Sequence, residues 1–354
     1  MKVLTVVGAR PEFIQLAPVT AAIREANTEI LVHTGQHFDD NMSQVFFDEL
    51  KLPRPEHHLG IGGGTHAQQT GQMLIALETK MLEEQPDWIL VFGDTNSTVA
   101  GALAAAKLQI PIAHIEAGLR SYDRAMPEEV NRVVTDHVSQ LLLAPTQLAI
   151  ENLAKEGIST GVELVGDVRV DVLPRLQLLA QGRSAAILSQ VGLVPTETFA
   201  LATIHRASNT DDEPRLRKLL TAIGQLKFPV VLPVHPRLSK MVQHFGLNFP
   251  SNLRTLAPVG ILDMVALLDA CNLVITDSGG LQKEAYLLNR PTVTLRNTTE
   301  WVETITVGWN RLCEPENLVQ AADSAVSGLP AEHPPLYGVE GVGKRIVEQL
   351  QAHL

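Results

Sequence analysis

The chain alternates short apolar runs rich in β-branched residues with longer segments of helical periodicity. Runs of this length, bounded by glycine or polar residues, are typical of buried strands. In the first half they are Val3–Val7, Ile30–His33, Trp88–Phe92, Ile112–Ile115, Leu141–Leu143 and Val162–Val165. Helices are expected between several of them, at Pro11–Glu25, Ser97–Lys107 and Pro127–Ser139. This order predicts a parallel sheet covered by helices on both faces.

A second set of strands follows the polar, irregular stretch Gln181–Thr198, which is expected to hold a loop. Its members are Phe199–Thr203, Val230–Val234, Leu253–Leu256, Leu273–Thr276 and Thr292–Leu295. The pattern predicts an α/β protein of two doubly wound domains, residues 1–166 and 167–341. From the pattern alone, the last helix at 342–354 could pack on either domain.

Composition narrows the class of protein. The 354 residues are 45% hydrophobic and 19% charged, which is ordinary for a folded protein. With 28 basic and 39 acidic residues the net charge is −11, so the chain is a poor general binder of nucleic acid or anionic membranes. No run of about 18 apolar residues predicts a membrane span. Neither Cys271 nor Cys313 lies in a paired ligand motif. A cytoplasmic location is the default expectation.

Glycine and charged residues follow several predicted strands. In open parallel sheets, ligands bind in the crevice beyond the carboxyl ends of the strands. These strand ends are Gly8–Pro11, Gly93–Asn96 and Glu116–Arg120 in the first half, and His205–Arg206, His235–Arg237 and Asp277–Gly280 in the second. The recurrence of this chemistry in both halves predicts a cleft lined by both domains.

The segment Asp277–Gly280 opens a predicted helix. Its glycines would let backbone N–H groups approach an anion, and the helix N-terminus adds partial positive charge, which suits a diphosphate. A capped helix start with Ser278 or Asp277 as N-cap explains the same residues equally well. Arg10 stands at another helix start, where a cation favours phosphate contact. His205 could bind phosphate, move a proton or serve as a structural hydrogen-bonding group.

Three acids, Asp94, Glu116 and Glu128, come from strand ends and a helix start of the first half. Carboxylates brought close together could stabilise a developing cation and exchange protons, and they would also suit a divalent metal. Asp94 could instead belong to a helix cap, and Glu128 could simply complement the helix dipole. The residues alone do not decide between these catalytic, metal-binding and structural interpretations.

Taken together, the motifs resemble the non-hydrolysing UDP-N-acetylglucosamine 2-epimerase family over nearly the whole chain. The carrying motifs are Gly8-Ala9-Arg10-Pro11-Glu12, Gly93-Asp94-Thr95, His114–Arg120, Pro127–Arg132, His205-Arg206, Pro233–Pro236 and Thr276–Ala285. The resemblance implies a GT-B-like fold of two Rossmann-like domains with the active site between them. It also implies that the last helix packs back on the first domain.

The resemblance further implies inversion at C2 of a UDP-sugar in two steps, without a cofactor or a metal. UDP leaves C1 while the C2 proton is lost, giving a 2-acetamidoglycal, and UDP then adds back with the opposite configuration at C2. Because the C2 proton is barely acidic, cleavage of the C1–O bond must create cationic character that carboxylates can stabilise. A homodimer is implied as well.

The family match assigns roles to individual residues. Asp94, Glu116 and Glu128 would be the proton-transferring and cation-stabilising acids, without deciding which takes which proton. His205 and Arg10 would stabilise the leaving UDP. The remaining substrate-binding residues would be Ser278, Gly279 and Gly280 at phosphate, Glu284 at the ribose hydroxyls, and Val259 and Met264 at uracil.

Two positions depart from the family pattern. Many members have lysine where this chain has Gln15, and arginine in Thr-Glu-Arg-Pro-Glu where it has Trp301. Two cations near the diphosphate are therefore expected to be missing. The segments His33–Asp39 and Thr299–Glu303 also resemble a subgroup acting on UDP-2,3-diacetamido-2,3-dideoxyglucuronate. UDP-N-acetylglucosamine is the first expectation, because most shared motifs serve UDP and C1/C2. A GT-B glycosyltransferase and a non-catalytic UDP-sugar sensor are the alternatives.

Overall fold

Residues 1–36 and 47–354 are described in the computed structural model. The chain divides into two compact units, unit 1 (Met1–Val172 with Pro335–Leu354) and unit 2 (Leu173–Pro334). These boundaries lie a few residues from the expected 166/167 and 341/342. One reason is a hydrogen bond from Asp167 N to Tyr337 O (3.0 Å), which joins both segments to unit 1.

The described residues of unit 1 form seven parallel strands in the order β3-β2-β1-β4-β5-β6-β7. Several strands are apolar along their whole length because helices cover both faces of such a sheet. The strands are β1 (Lys2–Val7), β2 (Thr28–His33), β3 (His57–His58), β4 (Trp88–Phe92), β5 (Ile112–Ile115), β6 (Leu141–Ala144) and β7 (Val162–Leu164).

Three helices of unit 1 begin at threonine caps. Thr65, Thr95 and Thr146 each accept the backbone N–H three residues ahead, which satisfies a donor that the first turn would otherwise leave unpaired. Among the described residues, the helices of unit 1 include α1 (Arg10–Ala26), α2 (His66–Glu84), α3 (Asn96–Leu108), α4 (Pro127–Val138), α5 (Gln147–Lys155) and α6 (Arg169–Ala180), of which the last continues into unit 2.

Unit 2 contains six parallel strands in the order β10-β9-β8-β11-β12-β13. They are β8 (Ala200–Thr203), β9 (Val230–Pro233), β10 (Leu253–Leu256), β11 (Leu273–Thr276), β12 (Thr292–Thr294) and β13 (Asn310–Leu312). The helices are α7 (Arg183–Gln190), α8 (Ala207–Thr210), α9 (Glu213–Gly224), α10 (Pro236–His244), α11 (Ile261–Ala270), α12 (Gly279–Leu287), α13 (Val302–Thr306) and α14 (Leu318–Ser327), with a 3₁₀ turn at Pro315–Asn317. The expected α/β class with two parallel sheets is confirmed.

The expected loop at Gln181–Thr198 is partly wrong, because α7 occupies Arg183–Gln190. Gly182 at φ 78° precedes this helix, and Ile187 and Leu188 are buried. Two apolar positions in so short a segment give a weak periodic signal, and tertiary burial decides the outcome. Within 1–36 and 47–354, no helix is both long and apolar enough to cross a bilayer.

The last helix, α15 (Val342–Ala352), belongs to unit 1 and packs on α1. Asp171 holds its start by accepting the N–H groups of Gly341 (2.7 Å) and Gly343 (2.8 Å). Near its other end, the indole N–H of the buried Trp88 donates to Leu350 O at 3.1 Å. The two contacts tie both ends of α15 to unit 1.

Each sheet has one place where the chain reverses its direction of strand addition. In unit 1, β1 lies beside β4, and in unit 2, β8 lies beside β11. Helices leave such neighbouring strands toward opposite faces, which opens a crevice at their carboxyl ends. The crevice of unit 1 therefore begins at Gly8 and Gly93, and that of unit 2 at Ile204 and Asp277.

We expect Gly343→Ala to destabilise unit 1. A Cβ at this position would lie 2.7 Å from Pro18 O, a backbone atom of α1, so α15 would have to shift. Overpacking of this kind costs roughly 1–3 kcal/mol of the free energy of unfolding. Urea unfolding and differential scanning calorimetry would measure the loss.

The matched control is Gly71→Ala in α2, where an added Cβ has no atom within 4 Å. This variant should be unchanged or more stable by about 0.5–1 kcal/mol, because alanine restricts the unfolded chain more than glycine does. Equal unfolding midpoints for Gly343→Ala and the parent would contradict the proposed contact.

Candidate active site

The crevice of unit 1 is organised by a buried carboxylate, Glu12. Its Oε2 accepts the N–H groups of Gly8 (2.5 Å) and Ala9 (2.8 Å), and its Oε1 accepts the hydroxyls of Thr95 (2.6 Å) and Thr98 (3.2 Å). One side chain thereby joins the turn after β1 to the turn after β4. Burial outweighs these hydrogen bonds and raises the pKa of Glu12 to about 7. In the sequence, Glu12 belongs to the motif Gly8–Glu12, and the motif assigns no role to this side chain.

Asp94 lies in the turn that Glu12 supports. Its Oδ2 accepts a hydrogen bond from Arg132 Nη2, and its backbone oxygen accepts from Asn131 Nδ2 at 2.9 Å. Arg132 is buried and also donates to Glu129 Oε2 at 2.8 Å, whereas the Asp94 side chain is 31% exposed. The carboxylate is therefore fixed from behind by α4 and still reaches solvent.

Glu128 precedes Glu129 in the first turn of α4 and is half-buried. Within the part of the chain that the structure describes, its carboxylate has no hydrogen-bond or ion-pair partner. Glu129 instead accepts the N–H groups of Ser121 and Tyr122, both at 2.9 Å, and so has a structural role. Glu129 is therefore held in place by hydrogen bonds, whereas the neighbouring Glu128 carboxylate has no such contacts within the described residues.

Glu116 follows β5 with φ at +71°, a left-handed conformation that glycine adopts more readily than glutamate. Its Oε2 accepts from Gln15 Nε2 at 2.8 Å, and its Oε1 lies 3.5 Å from Arg169 Nη1. A Cβ added to Gly93 would lie 3.2 Å from Oε2, so the carboxylate sits against the turn that leads to Asp94. Glu116 is 13% exposed, and costly backbone geometry of this kind clusters at functional sites.

The buried His114 contacts the same turn, at Gly93. The ring nitrogens of His114 lie 2.7 Å from Asp136 Oδ1 and 2.7 Å from Gly93 O, so both face oxygen acceptors. Burial would raise the pKa of Asp136, but contacts with His114 and Arg120 hold it below its usual range. The His114 contact fixes the Gly93 carbonyl and therefore the start of the turn that carries Asp94.

In unit 2 the crevice is organised by Asp277, directly after β11. Its carboxylate accepts the N–H groups of His205 and Arg206 at 3.0 Å and the side-chain amide of Asn209 at 3.1 Å. Burial opposes the charge, but hydrogen bonds from His205, Asn209 and Arg206 hold the pKa of Asp277 below its usual value. His205 Nδ1 also lies 3.0 Å from Asp277 Oδ1, which orients its ring, and the side chain is 37% exposed.

The start of α12 combines a cap with open space. Ser278 is the N-cap, and its Oγ accepts the N–H of Leu281 at 3.5 Å. A Cβ added to Gly279 would meet nothing nearer than 3.9 Å, at the Glu300 carboxylate and Trp301 Nε1. Packing within the protein therefore does not require glycine at this position. Both interpretations of Asp277–Gly280, a capped helix start and an anion site, therefore retain support. The cap exists, and the approach to Gly279 is open.

The other predicted binding residues lie at helix starts or on half-buried helix faces. Arg10 is the first residue of α1 and is half-buried. Val259 precedes α11, Met264 is in the first turn of α11, and Glu284 lies on α12 after Gly280; all three are half-buried.

Two cations lie close to Glu116, the partner of Gln15, and to Trp301. Arg169 Nη1 lies 3.5 Å from Glu116 Oε1, while Gln15 donates to Oε2 of the same carboxylate. In unit 2, Lys283 is fully buried with Nζ 4.0 Å from the centroid of the Trp301 ring. Arg169 thus shares the Glu116 carboxylate with Gln15, and Lys283 packs against the Trp301 ring. Sequence reasoning missed both cations because neither contact can be inferred from the residues around it.

Two further expectations concern a metal site and the segment His33–Asp39. Within the described ranges, no group of three His, Cys, Asp or Glu side chains has the arrangement of a metal site. Residues 37–39 of the His33–Asp39 segment, on which the subgroup resemblance depended in part, lie outside the described residues.

Comparison with known proteins supports the resemblance. The family model described as UDP-N-acetylglucosamine 2-epimerase matches residues 21–351. The UDP-2,3-diacetamido-2,3-dideoxy-D-glucuronate 2-epimerase of Pseudomonas aeruginosa is 46% identical over 99% of both chains. The UDP-N-acetylglucosamine 2-epimerase of Methanococcus maripaludis is 44% identical over 98% of this chain and 97% of that protein.

A solved structure gives the same result for the fold. The UDP-GlcNAc 2-epimerase of Methanocaldococcus jannaschii, crystallised in complex with UDP-GlcNAc and UDP, is 39% identical, and the match covers 99% of this chain and 100% of that chain with a TM-score of 0.92. The expected GT-B-like fold and the family resemblance are confirmed.

We expect Glu12→Gln to change how stability depends on pH. Because burial raises the pKa of Glu12 to about 7, the folded protein binds a proton there that the unfolded chain releases near pH 4.5. The free energy of unfolding should therefore fall as pH rises from about 4.5 to 7. Glutamine cannot ionise, so the variant should escape this loss, which is on the order of 3 kcal/mol. Urea unfolding at pH 5 and pH 7.5 would measure the difference.

Glu25→Gln is the control, because Glu25 lies on the same helix and is exposed. Its unfolding curves should follow those of the parent at both pH values. Identical pH dependence in the parent and Glu12→Gln would show that Glu12 does not titrate as expected.

Proposed function

Because the chain belongs to the UDP-N-acetylglucosamine 2-epimerase family, we propose that it interconverts UDP-N-acetylglucosamine and UDP-N-acetylmannosamine. The reaction breaks the C1–O bond and the C2–H bond and forms a C1=C2 double bond, which releases UDP and a 2-acetamidoglycal. UDP then adds back to C1, and a proton is delivered to the opposite face of C2. The proposal rests on the carboxylates of unit 1 and the helix start of unit 2.

One observation carries the proposal most directly. Asp94 and Glu116 follow neighbouring parallel strands, and each lies against an almost fully buried arginine, Arg132 and Arg169 respectively. A guanidinium beside a carboxylate favours the ionised form. Ionised carboxylates are the groups required to stabilise a cationic C1 and to accept the C2 proton. Glu128, which has no partner within the described residues, is a third candidate for proton transfer.

In the proposal, unit 2 binds the UDP part of the substrate. Backbone N–H groups at Gly279 and Gly280 and the hydroxyl of Ser278 would bind the diphosphate, helped by the dipole of α12. His205, oriented through Nδ1 by Asp277, would neutralise charge on the departing UDP. The open space around Gly279 supports this function, because a cap by itself does not require glycine.

A second substrate is favoured by a specific observation. The Pseudomonas aeruginosa relative, at 46% identity, is named for a UDP-diacetamido-glucuronate. The same residues could serve that sugar, since the bonds that change are again at C1 and C2. The experiment is therefore an NMR assay of both UDP-sugars in D₂O without an acceptor.

Deuterium at C2 of the recovered UDP-N-acetylglucosamine and of a new C2 epimer is the expected result. Exchange of only the diacetamido sugar would favour the second substrate. A requirement for an acceptor sugar would indicate a glycosyltransferase, and binding without exchange would indicate a sensor. Either of those two results would overturn the proposal.

We expect Asp94→Asn and Glu116→Gln each to lower turnover by at least about a hundredfold, the usual scale for a positioned acid or base. Affinity for UDP, measured by calorimetry, should change much less, since neither residue belongs to the proposed UDP site. The control is Glu151→Gln, an exposed glutamate on α5, which should leave turnover unchanged. Full turnover in Glu116→Gln would remove Glu116 from the mechanism.

We expect the opposite pattern for Glu284→Ala. If Glu284 binds the ribose hydroxyls, its loss should weaken UDP binding by about tenfold, because a hydrogen bond to a charged group contributes about 1.5–3 kcal/mol. The turnover number at saturating substrate should fall less. Glu332→Ala, at an exposed position of unit 2, is the control. Parent-like UDP affinity in Glu284→Ala would refute the ribose assignment.

A further inference from the structure

Side chains from two helices contact the Glu116 carboxylate. Gln15 of α1 donates to Oε2 at 2.8 Å, and Arg169, the first residue of α6, places Nη1 3.5 Å from Oε1. The two contacts lie on different oxygens and differ in charge. Gln15 gives direction without charge, while Arg169 brings a permanent cation, since guanidinium stays protonated in proteins.

Arg169 is itself held in place. Its side chain is only 3% exposed, and its Nη1 also lies 3.8 Å from Oδ1 of the buried Asp167. The same Asp167 oxygen accepts the backbone N–H of Arg169 at 2.8 Å. The guanidinium therefore lies close to two carboxylates, and Asp167 restrains the side chain that contacts Glu116.

The amide of Gln15 cannot take over this function. It is buried, and its Oε1 has no hydrogen-bond partner among the described residues. Gln15, Glu116 and the segment Gly166–Val168 line one small cavity of unit 1. The groups packed against Glu116 include the neutral Gln15 from α1, Arg169 and Asp167 at the start of α6, and the Gly93 turn that continues into Asp94.

We propose that Arg169 is the positioning residue of Glu116, keeping this carboxylate ionised and fixed in place of a cation at position 15. The inference rests on the proposed function, in which Glu116 takes part in the reaction. Arg169 acts through Glu116 and need not touch the substrate. The charge that sequence reasoning counted as lost at Gln15 is thereby supplied from another helix.

The first test measures Glu116 itself, independently of activity. The carboxyl carbons are labelled with ¹³C-glutamate, and the Glu116 signal is assigned by its absence in Glu116→Gln. Removing the cation in Arg169→Gln should raise the titration midpoint of Glu116 by about one pH unit, the low end of the effect of an opposite charge at this distance. Arg175→Gln, an exposed arginine on the same helix, should leave it unchanged.

The second test measures the reaction as C2 deuterium exchange across pH. Arg169→Gln should lower turnover by up to about a hundredfold with little change in KM, and the pH limb that reports Glu116 should move upward with the titration midpoint. Arg169→Lys keeps the charge but loses the planar fork, so it should retain more turnover. Adding Gln15→Lys to Arg169→Gln should restore turnover, because a cation then returns to the other carboxylate oxygen.

The outcomes separate the two proposals. An unchanged Glu116 midpoint in Arg169→Gln overturns the positioning proposal, whatever the activity. Loss of turnover with a lower unfolding temperature and no shift of either midpoint or pH limb makes Arg169 merely structural, which also overturns it. Absence of exchange in the parent protein refutes the proposed function, while the NMR titration still decides whether Arg169 controls Glu116. If Arg169→Gln alone does not fold, the double variant Gln15→Lys/Arg169→Gln takes its place. A Glu116 midpoint well above that of the parent in this variant overturns the positioning proposal, because a cation at position 15 would then not replace Arg169.

Discussion

In both sheets the chain reverses its direction of strand addition between two adjacent parallel strands, β1 and β4 in unit 1 and β8 and β11 in unit 2. The candidate site depends on this constraint. Helices leave the two strands toward opposite faces, so the turns at their carboxyl ends border an open crevice instead of being covered. Those turns carry backbone N–H groups, glycines and acids, and each lies beside its counterpart because the strands are parallel.

The crevices are built around carboxyl groups that have local hydrogen-bond or ion-pair partners. Glu12 accepts hydrogen bonds from four donors and thereby joins two turns. Asp277 accepts the backbone N–H groups that follow β8 and orients His205. Asp94 and Glu116 each have an arginine behind them. A charged group away from water is tolerated only with such partners. The partners also fix the side chains, so the chemistry that we propose would begin from carboxylates whose geometry is already set.

Much of the fold and of the candidate site could be predicted. Apolar runs mark the buried strands because both faces of a parallel sheet are covered, and polar motifs mark the strand ends because only there can polar groups meet solvent or ligand. The helix α7 was missed since its burial depends on packing rather than on a strong periodic signal. Arg169 was missed because nothing in the residues around it indicates that it faces Glu116.

The sequence by itself determined the α/β class, the family and the residues at the strand ends. Those properties follow from local patterns, in which hydrophobic spacing selects strands and helices and motifs keep their order. Only the tertiary structure decided which charges meet. The contact of Arg169 with Glu116, the burial of Lys283 against Trp301, and the joining of two turns by Glu12 link residues distant in the chain. Such contacts arise from packing between elements, and electrostatic interaction depends on separation in space and not along the chain.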